Sequence, residues 1–158
     1  MTPTTRATAL RWGAAGTVLA ALLAGCGSTA QGSGATDPTT YATALAASTN
    51  SARQTEGLDP LVPSDCATGA AGDRSAVLAG GADLTHAPLA GVIDTCSPAT
   101  TAAENLSRAS APAQDVVDAW MESPGHRANI VDPALTELGV ACVDDGDAML
   151  CSAVFLGP

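Results

Sequence analysis
Residues 40–55 are rich in Ala, free of Pro and Gly, and predict a helix that Gly57 ends. Leu58-Asp59-Pro60-Leu61-Val62-Pro63 carries two prolines and predicts an extended link. Ser64 or Asp65 is placed to cap a second helix reaching about Leu78, although the interior Gly69 and Gly72 each cost about 1 kcal/mol relative to Ala. Residues 80–101 hold no sustained period and predict a loop. Ser110-Ala111-Pro112 predicts the start of a third helix, with Ser110 as cap and Pro112 in the first turn. Val116, Val117, Trp120 and Met121 then share one apolar stripe at helical spacing, which is a core face before it is a lipid-lining one. Ser123-Pro124 repeats the cap-then-proline pattern and opens a short turn bearing His126. Residues 138–143 and 149–156 are apolar runs on either side of Asp144-Asp145-Gly146-Asp147, which predicts a hairpin closed by an acidic, solvated turn; that turn lacks the length and final Glu of a calcium loop. No internal repeat occurs, and helices followed by an antiparallel pair predict an α+β fold rather than a doubly wound parallel sheet.

The first 25 residues follow another logic. Arg6 and Arg11 form a basic start, and residues 12–24 form an apolar run of about 13 residues, too short to span a bilayer but suited to a signal segment. The run ends in Leu23-Ala24-Gly25-Cys26, which resembles a bacterial lipobox, so Cys26 is expected to carry a lipid that anchors the chain to a membrane. Residues 29–39, rich in Gly, Ser and Thr, read as a tether. The expected organisation is therefore a lipoprotein signal segment at 1–25, lipidated Cys26 and linker to residue 40, and one domain at 41–158.

That division leaves roughly 115–120 residues for a fold, with few aromatics to fill its core, a size that gains from covalent staples. Beyond Cys26 stand Cys66, Cys96, Cys142 and Cys151, an even number for an oxidising compartment. Cys142 and Cys151 flank the hairpin turn and are paired across it, which leaves Cys66 to pair with Cys96. No CxxC spacing suggests a metal cluster. The chain has no Lys and a net charge of −10, which becomes −12 when Arg6 and Arg11 leave with the signal segment. So acidic a surface excludes nucleic acid as a partner and suits a soluble, exported monomer.

Ala103-Glu104-Asn105-Leu106, the run Val116-Val117-Asp118-Ala119-Trp120-Met121-Glu122-Ser123-Pro124-Gly125-His126-Arg127-Ala128-Asn129-Ile130, and Leu138-Gly139-Val140 together resemble the bacterial branch of the CAP superfamily. Its members include the cysteine-rich secretory, antigen 5 and plant pathogenesis-related 1 proteins, and its domain is also called SCP-like. Asn50, Arg53 and Gly57-Leu58-Asp59-Pro60-Leu61 resemble the family's first-helix segment, so the similarity covers about residues 41–157. The resemblance implies an α-β-α sandwich with a small antiparallel sheet between helical layers. It also implies a cleft with two His and two Glu, which holds a divalent metal in some members. His126 matches the second His, His86 the first, and Glu104 one Glu, with Ala103 in place of the motif's Gly. Ser123 stands where the second Glu is expected, and Glu122, one position away, points about 100° elsewhere on a helix.

The candidate cleft is thus His86, Glu104, Ser123, His126 and Asn129, with His86, Glu104 and His126 as ligands for a zinc or magnesium ion. The competing assignment makes these residues structural: Glu104 and Asn105 fixing a turn, His126 orienting the turn after Ser123, Arg127 and Asn129 locking loops. Ser123 is a poor nucleophile, because it precedes Pro124 at a helix start where its oxygen caps, and no G-x-S-x-G pattern is present. Three functions follow. The favoured one is a membrane-anchored, non-enzymatic binding module for an envelope component or an apolar small molecule such as a lipid or sterol. The others are a metal-dependent hydrolase of peptide or glycan, and a structural surface protein with a vestigial cleft.

Overall fold
A computed structural model of the chain describes residues 36–158. The signal segment, Cys26 and the first part of the tether lie outside the described residues. Helix α1 spans Pro38–Thr55 and begins on Asp37, whose carboxylate accepts from Thr39 N and Thr40 N. The helix therefore starts two residues ahead of the expected residue 40. Gly57, with φ 79°, ends the helix as expected, since only Gly adopts that backbone without cost. The two-residue β1 is Val62–Pro63, and α2 is Asp65–Leu78, N-capped by Ser64.

Residues 80–101, read as a loop, in fact contain the six-residue α3, Ala90–Thr95, and the first residue of β2, Thr101–Ala109. Helix α4, Ala113–Glu122, starts later than expected: Pro112 occupies the N-cap position and Ser110 has no capping role. Helix α5, Pro124–Ile130, follows Ser123 directly, and Ser123 also makes no side-chain cap bond. Pro124 sets the first turn of α5 through its fixed φ, and Pro112 itself takes the cap position of α4, so neither start uses a bond from the serine. Strands β3, Glu137–Asp145, and β4, Ala148–Gly157, form the expected hairpin, with Gly146 at φ 73° in its two-residue turn.

The sheet runs β1-β3-β4-β2 and is mixed: β3, β4 and β2 are antiparallel, whereas β1 lies parallel to β3. Strand alternation sorts the core into two layers. Met149, Cys151, Ala153 and Phe155 face α1 and α4, together with Leu45, Val117 and Trp120. Val154 and Leu156 face α2, together with Ala67 and Ala71, while Leu150 meets Leu78 and Leu106. Strand β4 is buried on both faces, which is why it reads as an almost unbroken apolar run. The result is the three-layer α-β-α sandwich.

Both disulfides form as paired from the sequence. Cys142 and Cys151 are register partners across the hairpin, with Cα atoms 4.1 Å apart. Cys66–Cys96 joins the start of α2 to the end of α3. The hairpin turn is acidic and exposed at Asp144, Gly146 and Asp147, as expected, while Asp145 is engaged. Asp145 accepts from Gly80 N at 2.8 Å and from Arg108 Nε at 2.6 Å, and the Gly80 bond foremost holds its carboxyl below the ordinary range.

Candidate functional site
Strand β2 is the open edge of the sheet, and the cleft forms along it. Successive residues on a strand point to opposite faces, so the adjacent Glu104 and Asn105 serve different layers. Glu104 turns toward α2, and its side chain is 1% exposed. Arg74 Nε donates to its Oε1 at 2.9 Å, and Ser152 Oγ on the neighbouring β4 donates to the same oxygen at 3.1 Å. His86 Nδ1 lies 2.8 Å from Oε2, and Arg74 Nη2 reaches that oxygen at 3.5 Å. A buried carboxylate is tolerated only when its lone pairs are filled and its charge is balanced. Both conditions are met here.

Asn105 turns toward α5 and is fully buried. Its amide donates to His126 O at 3.2 Å, and its oxygen accepts from Asn129 Nδ2 at 2.9 Å. Asn129 Nδ2 also donates to Glu104 O at 3.2 Å, and Trp120 Nε1 donates to Leu106 O at 3.2 Å. Side chains from α4 and α5 thus occupy carbonyls of an edge strand that would otherwise offer itself to a new partner. Asn105 in turn holds the main chain at His126, whose ring lies 6.2 Å from that of Trp120. Trp120 itself belongs to the core, as its stripe suggests.

His86, Glu104, Ser123, His126 and Asn129 all line one open cleft of about 410 Å³, shared with Ala87, Leu89, Ala102, Ala103 and Gly125. Five residues from widely separated parts of the chain therefore meet. The exposed segment before α3 brings His86, β2 brings Glu104, and α5 with its preceding residue brings the rest.

The metal assignment of His86, Glu104 and His126 does not fit this geometry. Among the described residues, no three His, Cys, Asp or Glu side chains converge as a ligand set for an ion. The one carboxylate already faces a guanidinium on both oxygens, and Ser123 supplies no second carboxylate. A zinc or magnesium centre therefore has no ligand set here.

His126 is half-buried, and burial first, then the neighbouring His86, pushes its pKa below 6.5. The folded protein thus holds His126 neutral under conditions where the unfolded chain would protonate it. Between that lowered value and 6.5 the unfolded state binds more protons, so stability rises with pH through the window and is complete above it. We expect the melting temperature to fall on acidification between about pH 7 and pH 5, and His126→Gln to flatten that part of the profile. Thermal melts of both chains at matched ionic strength would check this, and parallel profiles would refute it.

Arg74 and Ser152 are the site residues that the sequence alone did not mark. The described residues contain only four Arg and no Lys, and each Arg is held by a carboxylate or by main-chain carbonyls. That scarcity was the available signal for Arg74.

Comparison with known proteins agrees with the fold and with the motif. A stretch of 46 residues is 46% identical to the uncharacterized protein YkwD of Bacillus subtilis, covering 29% of this chain and 18% of that protein. A cysteine-rich secretory protein of Staphylococcus aureus superposes with a TM-score of 0.67 at 23% identity, covering 77% of this chain and 39% of that one. An outer surface protein of Borrelia burgdorferi superposes at 0.63 with 19% identity, covering 72% of this chain and 88% of its own. An SCP-domain extracellular protein of Bacillus anthracis does so at 0.64 with 19% identity, covering 77% and 41%. The chain thus spans well under half of the Bacillus subtilis and Staphylococcus proteins. The family model described as CAP, the cysteine-rich secretory protein family, matches residues 46–155, more than half of the chain, and this protein belongs to that family.

Proposed function
We propose that this is an extracytoplasmic CAP-domain binding module, tethered to a cell membrane through lipid on Cys26, whose cleft takes an envelope component or an apolar small molecule. The observation that carries the reading is the makeup of the cleft. Ala87, Leu89, Ala102 and Ala103 offer apolar surface, while His86, Ser123, His126 and Asn129 offer hydrogen-bonding groups beside it. Such a lining suits an amphipathic ligand such as a lipid. The buried Glu104 is committed to Arg74, His86 and Ser152, which favours binding over a metal-dependent hydrolase that would need this carboxylate as a ligand.

Two disulfides support an oxidising compartment, in keeping with the secretory character of the family. Among the described residues no helix is long and apolar enough to cross a membrane, so attachment in this reading rests on Cys26.

The test uses the full chain expressed in a bacterium, with membranes isolated and bound molecules identified by mass spectrometry. The natural chain is expected in the membrane fraction with a retained envelope molecule. Cys26→Ser should move to the soluble fraction, and the His86→Ala/His126→Ala pair should stay anchored but lose the molecule. If nothing is retained above the level of the double variant, the binding reading fails in favour of a surface protein with an idle cleft. If Cys26→Ser stays in the membrane, the anchor is wrong.

A further inference from the structure
We infer that Arg74 is the resident cation of this cleft: a positioning residue that fixes Glu104 and His86 in place, so that the cleft keeps its form without a divalent ion. The inference rests on the reading above only in taking the cleft as the working surface.

A carboxylate as buried as Glu104 needs a positive neighbour, and a metal ion is one way to provide it. The structure provides another. Arg74 sits on α2, in the layer toward which Glu104 points, and its guanidinium contacts both carboxylate oxygens. The same Nη2 donates to Thr85 O at 2.7 Å. Thr85 adjoins His86 in a segment without helix or strand. One planar group therefore ties together α2, the segment bearing His86, and β2. Lys could supply the charge but not this fork of donors.

The consequence falls on His86. An ionised carboxylate only accepts, so the 2.8 Å contact places a proton on Nδ1 and, whenever the ring is neutral, leaves Nε2 as the acceptor. The side chain is 54% exposed and lines the cleft. His86 thereby presents one defined hydrogen-bonding state to an incoming ligand. An ion that sought Glu104 would have to displace the Nδ1 proton and stand beside a fixed guanidinium, and that repulsion makes the carboxylate a poor metal ligand.

The two histidines of the chain make the test direct. Imidazole nitrogen shifts are recorded by NMR on the labelled full chain in detergent, with EDTA and then with equimolar zinc. In the natural protein His86 is expected as a single Nδ1–H tautomer in EDTA, and Nδ1 should keep its proton when zinc is added. Arg74→Gln removes the charge and should give His86 averaged tautomer shifts. Arg74→Lys keeps the charge and should restore most of the single-tautomer signal while losing the hold on Thr85. Averaged tautomer shifts of His86 in EDTA, or loss of its Nδ1 proton on adding zinc, would overturn the inference. So would an Arg74→Gln chain in which His86 keeps its single tautomer. If Arg74→Gln does not fold, averaged shifts in Arg74→Lys overturn the inference and a restored tautomer supports it. None of these readings depends on capturing a ligand, so a failed binding test leaves them separate.

Discussion
Arg53→Ala is expected to lower the unfolding free energy by about 3–5 kcal/mol. The side chain leaves the last turn of α1 and is 3% exposed. Its Nε donates to Asp59 O at 2.9 Å, Nη1 to Ile130 O at 2.8 Å and Asp132 O at 2.9 Å, and Nη2 to Leu135 O at 3.3 Å. Four carbonyls from three segments converge on one guanidinium: the link after α1, the end of α5, and the approach to β3. Alanine leaves those carbonyls without their donor and opens a void where the stem packed. Deleting the Arg also removes the cost of burying its charge, which burial signals by lowering its pKa. The orphaned acceptors outweigh that relief, because two of the bonds are fully buried. Arg53→Lys should fall between the two, since one ammonium cannot match the planar fork. Urea unfolding followed by circular dichroism would measure both. A loss below about 1 kcal/mol for Arg53→Ala would mean that the carbonyls find water and that the clamp contributes little.

The same residue shows what was legible in the sequence. Arg53 entered through the family motif, without any indication of what it holds, because its partners are main-chain carbonyls up to 82 positions away. Elements with one solvent face and one core face were readable. Tyr41, Leu45 and Thr49 keep helical spacing in α1, and the hairpin declared itself through Asp144-Asp145-Gly146-Asp147 and its flanking cysteines. Strand β2 was not readable, because its central side chains serve two different layers. Glu104 meets α2 while Asn105 meets α5, so Thr101–Ala109 shows no alternation of apolar and polar residues. Helix α3 has six residues, no buried side chain and no side-chain cap, hence none of the usual signals. The serines before Pro112 and Pro124 misled because Pro112 itself takes the cap position and Pro124 sets the first turn without a hydroxyl bond. His86, Glu104 and His126 could be named from the motif, but the guanidinium that takes the metal's place could not, since Arg74 lies on a helix with no part in the quoted motif.

Gly139→Ala is expected to be at least as damaging as the loss of Arg53, and through packing alone. Gly139 is buried on β3, on the face that meets α2. A Cβ there would overlap Thr68 N, Ala67 C and Thr68 Cα, all main-chain atoms that no rotamer change can move. Small residues on the inner stripe of α2, namely Ala67, Ala71 and Ser75, allow the helix to lie this close to the strand. One added methyl must therefore push the whole helix off the sheet, loosening the contacts of Ala67 and Ala71 with Val154 and Leu156. Overpacking of this kind costs about 3 kcal/mol or more when backbone has to yield. Gly72, one turn along the same interface, provides the opposite sign. Its Cβ would meet only Ala141 Cβ, at 3.9 Å, an ordinary contact, and it sits inside α2 where Gly is a poor helix former. Gly72→Ala should therefore stabilise the protein by about 0.5–1 kcal/mol. Measured side by side by thermal melting, the two changes should shift the midpoint in opposite directions. If Gly139→Ala melts within a degree or two of the natural chain, the helix and strand are not in the close contact on which the α2 layer, and with it the placement of Arg74 against Glu104, depends.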